Sequence, residues 1–155
     1  MTSPSNNSII GQVYQSTNTD VEAAVASSAG AFASWSAQTH KSRALILQKF
    51  HDVILSHMDD LCKLIVLENG KNYNEAKGDV AKGLETLQYA CGLQALPQVM
   101  GRKLQVSRGV DCEDVTRPLG VVTCIVPFNF PFMVPFWTMP IALALGNTVV
   151  LKPSE

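Results

Sequence analysis

The chain has 155 residues, 46% of them hydrophobic and 16% charged, with a formal net charge of −1. This length allows one domain with a sizeable core, or pieces of two, and the balanced charge gives no footing for nucleic-acid binding through basic excess or for an acidic disordered tail. Cys62, Cys91, Cys112 and Cys124 are widely and irregularly spaced, without a C-x-x-C pair, and read as four reduced thiols, mostly buried, in a reducing compartment.

The amino terminus, MTSPSNNSIIGQV, has no basic region, no apolar h-region and no Arg-rich transit character. A cytoplasmic location is therefore expected, or a mitochondrial one if the source is eukaryotic and the amino terminus incomplete. Ser8 to Gln15 reads as a short hairpin or extended edge around Gly11. Thr19-Asp20-Val21-Glu22 reads as a capping box with Thr19 as N-cap. The helix it opens carries Val21, Val25, Phe32 and Trp35 at helical spacing, with alanines between. A second helix is predicted over about 40–55, with Leu45, Leu47, Phe50, Val53, Ile54 and Leu55 as its apolar side. A third covers 59–68 and stops at Asn69-Gly70. A fourth runs from about 74 to 95, aligns Val80, Leu84, Leu87 and Cys91, and is closed by Pro97.

The period then becomes alternating. Arg102–Ser107 and Cys112–Arg117, joined through Gly109, are predicted as two strands, with Lys103, Glu113, Asp114 and Arg117 suited to an exposed edge. From Arg117 to Lys152 no side chain between is charged, long enough for the roughly 20 apolar residues of a membrane span. Pro127, Pro131, Pro135 and Pro140 argue against a span, since a proline inside a helix costs about 3 kcal/mol. The better reading is a β-branched strand at 121–126, a rigid loop from Pro127 to Pro131, a helix at 132–145 stopped by Gly146, and a second buried strand at 148–151. That is a right-handed βαβ unit. Ligands of open α/β sheets bind beyond the carboxyl ends of the strands, which puts Asn129, Lys152 and Glu155 on one rim.

Common catalytic signatures are missing: there is no G-x-G-x-x-G, no phosphate loop, no G-x-S-x-G elbow and no metal-ligand spacing among His40, His51 and His57. The residues alone imply a nucleotide-type α/β domain whose sheet has only begun.

PFNFP at 127–131 and GNTVVLKPSE at 146–155, with AFASW, LENGK, GDV-x-x-GL, YAC and PLGVV in order before them, resemble the aldehyde dehydrogenase superfamily, closest to its CoA-acylating methylmalonate-semialdehyde branch. Phe128 and the Trp137-Thr138 pair favour that branch. The resemblance implies an α/β fold corresponding to the amino-terminal part of these enzymes: a helical part of the NAD-binding domain at 1–100, a strand pair of the oligomerisation region at 101–118, and the first βαβ of the NAD-binding sheet at 119–155. It implies NAD as cofactor, CoA as acyl acceptor, a small aldehyde as substrate and a homo-oligomeric full-length enzyme, without nucleic acid or membrane. By resemblance, Asn129 donates its amide to the substrate carbonyl oxygen, Val126 and Phe128 line the NAD site, and Lys152 and Glu155 grip the adenosine ribose. The family's nucleophilic cysteine and general base have no counterpart here, so the chain alone is expected to be inactive and to fold poorly. A hydrolytic aldehyde dehydrogenase and a non-catalytic assembly module are the alternatives.

Overall fold

The computed structural model describes residues 1–154. Six α-helices and four strands follow in the order α1 (Asn18–Ser36), α2 (His40–Ser56), α3 (Met58–Asn69), α4 (Tyr73–Gly92), α5 (Pro97–Met100), β1 (Arg102–Ser107), β2 (Val110–Asp114), β3 (Val121–Ile125), α6 (Met133–Ala144) and β4 (Thr148–Lys152). Among the described residues no helix is long and apolar enough to cross a membrane.

The capping box of α1 sits two residues earlier than predicted. Thr17 is the N-cap, its hydroxyl accepting from the Asp20 amide at 3.4 Å while the Asp20 carboxylate accepts from the Thr17 amide at 2.7 Å. An Asp at the third helical position reaches back as a Glu would, and the amide and hydroxyl of Thr17, both donating to Asp20 Oδ2 at 2.7 Å, hold the Asp20 carboxyl below its ordinary range. The expected hairpin around Gly11 is also corrected: a single bridge pairs Thr2 with Ile9. Its turn lies at 4–7, where Asn7 takes a φ of 57°, a conformation Asn tolerates better than most side chains.

The core is formed by α2, α3, α4 and α6. Leu47, Ile54, Cys62, Ile65, Val80, Leu84, Leu87 and Phe136 share one buried cluster. Only part of each predicted apolar stripe reaches it: Leu45, Val53 and Leu55 of α2 are more than half exposed, and no residue of α1 is buried. Of the thiols, Cys62 and Cys124 are buried, Cys91 is half-buried and Cys112 is exposed. Pro97 opens α5 instead of closing α4; its missing N–H costs nothing in a first turn.

β1 and β2 form an antiparallel hairpin in which every residue is exposed. Its second strand begins at Val110 rather than Cys112, because the turn is confined to Arg108 and Gly109, the latter at a φ of 77°. Arg102–Asp114 at 3.0 Å and Lys103–Asp111 at 3.4 Å link its strands, and pairs this exposed contribute under about 1 kcal/mol each.

β3 and β4 are parallel, in register from Val121↔Thr148 to Ile125↔Lys152, with α6 as the crossover. The Thr148 hydroxyl donates to the Ser28 carbonyl of α1 at 3.0 Å, whereas Cys124 Sγ lies 2.9 Å from the Thr138 hydroxyl of α6. Since Thr148 shares a face with Val121, and Cys124 takes the opposite one by alternation, α1 and α6 cover opposite faces of the pair. The two strands are less buried than their β-branched sequences predict. Ile125 is 74% and Leu151 39% exposed, because two strands leave both edges open and the helical cover runs out towards their carboxyl ends. Pro135 falls in the first turn of α6, where its ring is harmless, so only Pro140 lies inside the helix.

Candidate functional site

The rim at the carboxyl ends of β3 and β4 holds four of the five residues singled out in the sequence; Glu155 lies outside the described residues. Val126 and Lys152 are brought together: the Val126 amide donates to the Lys152 carbonyl at 3.3 Å, and Ile125 is the register partner of Lys152. Val126 is buried, Phe128 half-buried, and Asn129 and Lys152 exposed. The rim thus has an apolar floor and two polar side chains open to solvent.

Asn129 is presented by the loop from Val126 to Phe132. Its amide makes no hydrogen bond among the described residues, while the loop around it is tied down. Asn69, the last residue of α3, donates Nδ2 to the Phe128 carbonyl at 2.6 Å. Asp79 Oδ1, on α4, accepts from the Met133 amide at 2.7 Å, where α6 begins. Asp79 Oδ2 accepts from Lys71 Nζ at 2.9 Å, and that ammonium lies 3.8 Å from the centroid of the Phe130 ring. The Asp79 side chain is fully buried and Lys71 is 14% exposed.

Gly83 gives this loop its seat. A Cβ there would meet the Phe132 ring at 2.6 Å, so only glycine lets the ring lie directly on α4. Phe132 in turn stacks on Phe136 with centroids 4.4 Å apart. Gly70, at a φ of 81°, ends α3 in the left-handed conformation and turns the chain from Asn69 to Lys71. Beside the loop an open cleft of about 350 Å³ is lined by Lys71, Glu75, Gly78, Asp79, Lys82, Phe130 and Met133.

Sequence reasoning found the rim but not the cleft or the residues that fasten the loop. Asn69, Lys71 and Asp79 carry no motif of their own. The signal they did give was the recurrence of LENGK and GDV-x-x-GL in the same order as PFNFP.

A family model described as the aldehyde dehydrogenase family matches residues 1–155. The chain belongs to the aldehyde dehydrogenase family. It is 46% identical over 153 residues to malonate-semialdehyde dehydrogenase 3 of Bacillus cereus, covering 98% of this chain and 31% of that protein. A methylmalonate-semialdehyde dehydrogenase from Oceanimonas doudoroffii superposes with a TM-score of 0.91 at 38% identity, over 96% of this chain and 30% of that one. A betaine aldehyde dehydrogenase double mutant from Staphylococcus aureus, solved in complex with NAD+, gives a TM-score of 0.91 at 30% identity, over 99% of this chain and 31% of that one. The chain thus spans about 31% of the length of the curated relatives it matches, and its fold is that of the amino-terminal part of these enzymes.

Proposed function

We propose that this chain supplies the cofactor rim and the oxyanion-binding amide of an NAD-dependent, CoA-acylating malonate- or methylmalonate-semialdehyde dehydrogenase. The observation that carries the reading is the exposed, otherwise unbonded amide of Asn129 on a loop fastened on both sides. An amide held still in this way stabilises charge developing on a carbonyl oxygen, and removing such a donor costs about 2.7–4 kcal/mol in the transition state.

The residues present fit a dinucleotide. The carboxyl ends of two adjacent parallel strands offer the exposed side chain of Ile125 in register with Lys152, the position at which open α/β sheets take such ligands. Val126 and Phe128 would line the ring side, and Lys152 would donate to the ribose hydroxyls, with Glu155 as its partner in the tail. When bound, NAD supplies the hydride acceptor. Asn129 would orient the aldehyde and donate to its oxygen as an external thiolate adds to the carbon; once that adduct has given up its hydride, the resulting thioester would pass its acyl group to CoA and release the thiolate.

Cys62 and Cys91 are poor candidates for that thiolate. Burial pushes the Cys62 thiol up, reinforced by Asp59, and burial likewise raises Cys91; a protonated thiol is a weak nucleophile. The cleft beside Phe130 would take the remainder of the substrate. Its Lys82 ammonium, paired with the exposed Glu85 at 2.7 Å, suits an aldehyde that carries its own carboxylate. The wholly exposed β1–β2 hairpin favours a contact with further subunits, so a homo-oligomer is part of this reading.

The test is a chimaera in which this chain replaces the matching amino-terminal segment of the Bacillus cereus relative. Malonate semialdehyde should reduce NAD, with acyl-CoA accumulating when CoA is present. Free acid as sole product would replace this reading with the hydrolytic alternative. No turnover in a folded chimaera would end it. The chain on its own is expected to give no aldehyde-dependent NADH.

A further inference from the structure

We propose that Asp79 is a positioning residue for Asn129, acting through Lys71 and the first amide of α6. Describing Asn129 as the oxyanion donor rests on the reading above; the mechanical claim about the loop does not.

A carboxylate removed from water is costly unless its lone pairs are satisfied by charge and hydrogen bonds. Both oxygens of Asp79 are satisfied, and both bonds converge on the Asn129 loop. Oδ1 holds the Met133 amide at 2.7 Å, four residues after Asn129. Oδ2 holds the Lys71 ammonium at 2.9 Å, which sits over the ring of Phe130, the residue immediately after Asn129. The third attachment, Asn69 to the Phe128 carbonyl at 2.6 Å, fixes the residue immediately before it.

Asn129 is therefore bracketed at 128, 130 and 133, although its own side chain touches no hydrogen-bonding partner among the described residues. With no bond of its own, the place of its backbone, and so the reach of its side chain, is set by its neighbours' attachments. A buried ion pair placed only for stability would have no reason to put its cation against the ring adjoining the exposed amide. Lys71 also explains why the pair is a salt bridge and not an apolar contact. A cation over an aromatic face is attracted to it, and pairing with Asp79 keeps that cation from swinging out to solvent.

The experiment is ¹⁵N relaxation on the labelled full chain, reading the backbone amides of 128–130. In the native chain these backbone amides should be as rigid as those of the helices, with order parameters of about 0.85. Asp79→Ala and Lys71→Met should drop the Asn129 values below about 0.6 while α2 and α4 stay rigid. Lys71→Arg, which keeps charge and ring contact, should restore them, and Asp79→Asn, which keeps the acceptor for Met133, should fall between. Asn69→Ala leaves every buried charge paired and guards against loss of the fold in the Asp79 variant; it should loosen 128–129 alone. A 128–130 backbone that stays rigid in Lys71→Met and Asn69→Ala, or is already mobile in the native chain, overturns the proposal. No aldehyde or cofactor enters the measurement, so its failure is separate from failure of the dehydrogenase reading.

Discussion

At the amino end of the β3–α6–β4 unit its own asparagine turns inward and closes the backbone; at the carboxyl end its asparagine is left facing water. Asn147 shows the first pattern. Its Oδ1 accepts from the amides of Leu119 at 2.7 Å and Gly120 at 3.1 Å, and its Nδ2 donates to the Ala142 carbonyl at 3.1 Å. Arg43 Nε and Trp35 Nε1 cap the carbonyls of Ala144 and Leu143 at the end of α6. Asn129 shows the second pattern: the same residue type, exposed, with its amide unused by the fold. Two asparagines less than twenty residues apart in sequence thus do opposite work. One makes the sheet possible, and the other is left unused by the fold because the first end holds without it.

The sharpest way to break this contrast is to exchange the losses. Asn129→Ala, in the chimaera, should lower turnover by about 10²–10³ and leave the melting temperature nearly unchanged. A matched loss of stability would show that Asn129 belongs to the fold. Asn147→Leu should do the reverse. It removes the three hydrogen bonds of a buried side chain, each worth about 1 kcal/mol. Unfolding should come roughly 10 °C lower, as followed by circular dichroism. A shift below a few degrees would mean that water replaces the side chain and the amino end is not closed as described.

A smaller effect is expected where the two ends communicate. Gly83→Ala places a methyl 2.6 Å from the Phe132 ring. Overpacking of this kind costs about 1–3 kcal/mol, offset in part by the roughly 1 kcal/mol that alanine gains over glycine in a helix. Net destabilisation should be about 1 kcal/mol, yet turnover in the chimaera should fall by more than stability does, since the displaced ring sits in the loop of Asn129. Equal stability and equal turnover in the variant would show that Phe132 moves without consequence.

How much of this was legible beforehand follows the same division. The strands of the amino end were visible as the β-branched runs 121–126 and 148–151, and the glycine stops at Gly70 and Gly146 were visible as local backbone chemistry. PFNFP announced a rigid loop by its prolines. The attachments were not legible, because Asn69 meets Phe128 across 59 positions and Asp79 meets Met133 across 54, and no local period encodes such pairs. The predicted helix stripes erred for a related reason. Leu45, Val53 and Leu55 are apolar at helical spacing but remain more than half exposed, and spacing cannot say which side of an apolar helix a neighbour will take. The N-cap misreading, Thr19 for Thr17, came from two threonines each followed three residues later by an acid.

The smallest expected effect concerns protons at the amino end. His40 Nδ1 lies 3.0 Å from Arg43 Nη2, and burial, then the Arg43 charge, lowers its pKa from the ordinary 6.5. The folded chain therefore binds this proton less readily than the unfolded one. Above about pH 6.5 the ring is neutral in both states and its contribution is intact. As pH falls below that value the unfolded chain takes up the proton first, so stability is lost down to the folded pKa. His40→Asn keeps an acceptor near Arg43 but cannot titrate, so the native chain should lose its advantage over this variant between about pH 7 and pH 5. The loss should be a fraction of a kcal/mol, given the partial burial of the ring. Urea midpoints whose difference stays constant over that range would remove His40 from the account of the closed end. A native chain that gains on the variant in acid would mean that the ring is charged in the fold, which the donor beside its Nδ1 forbids.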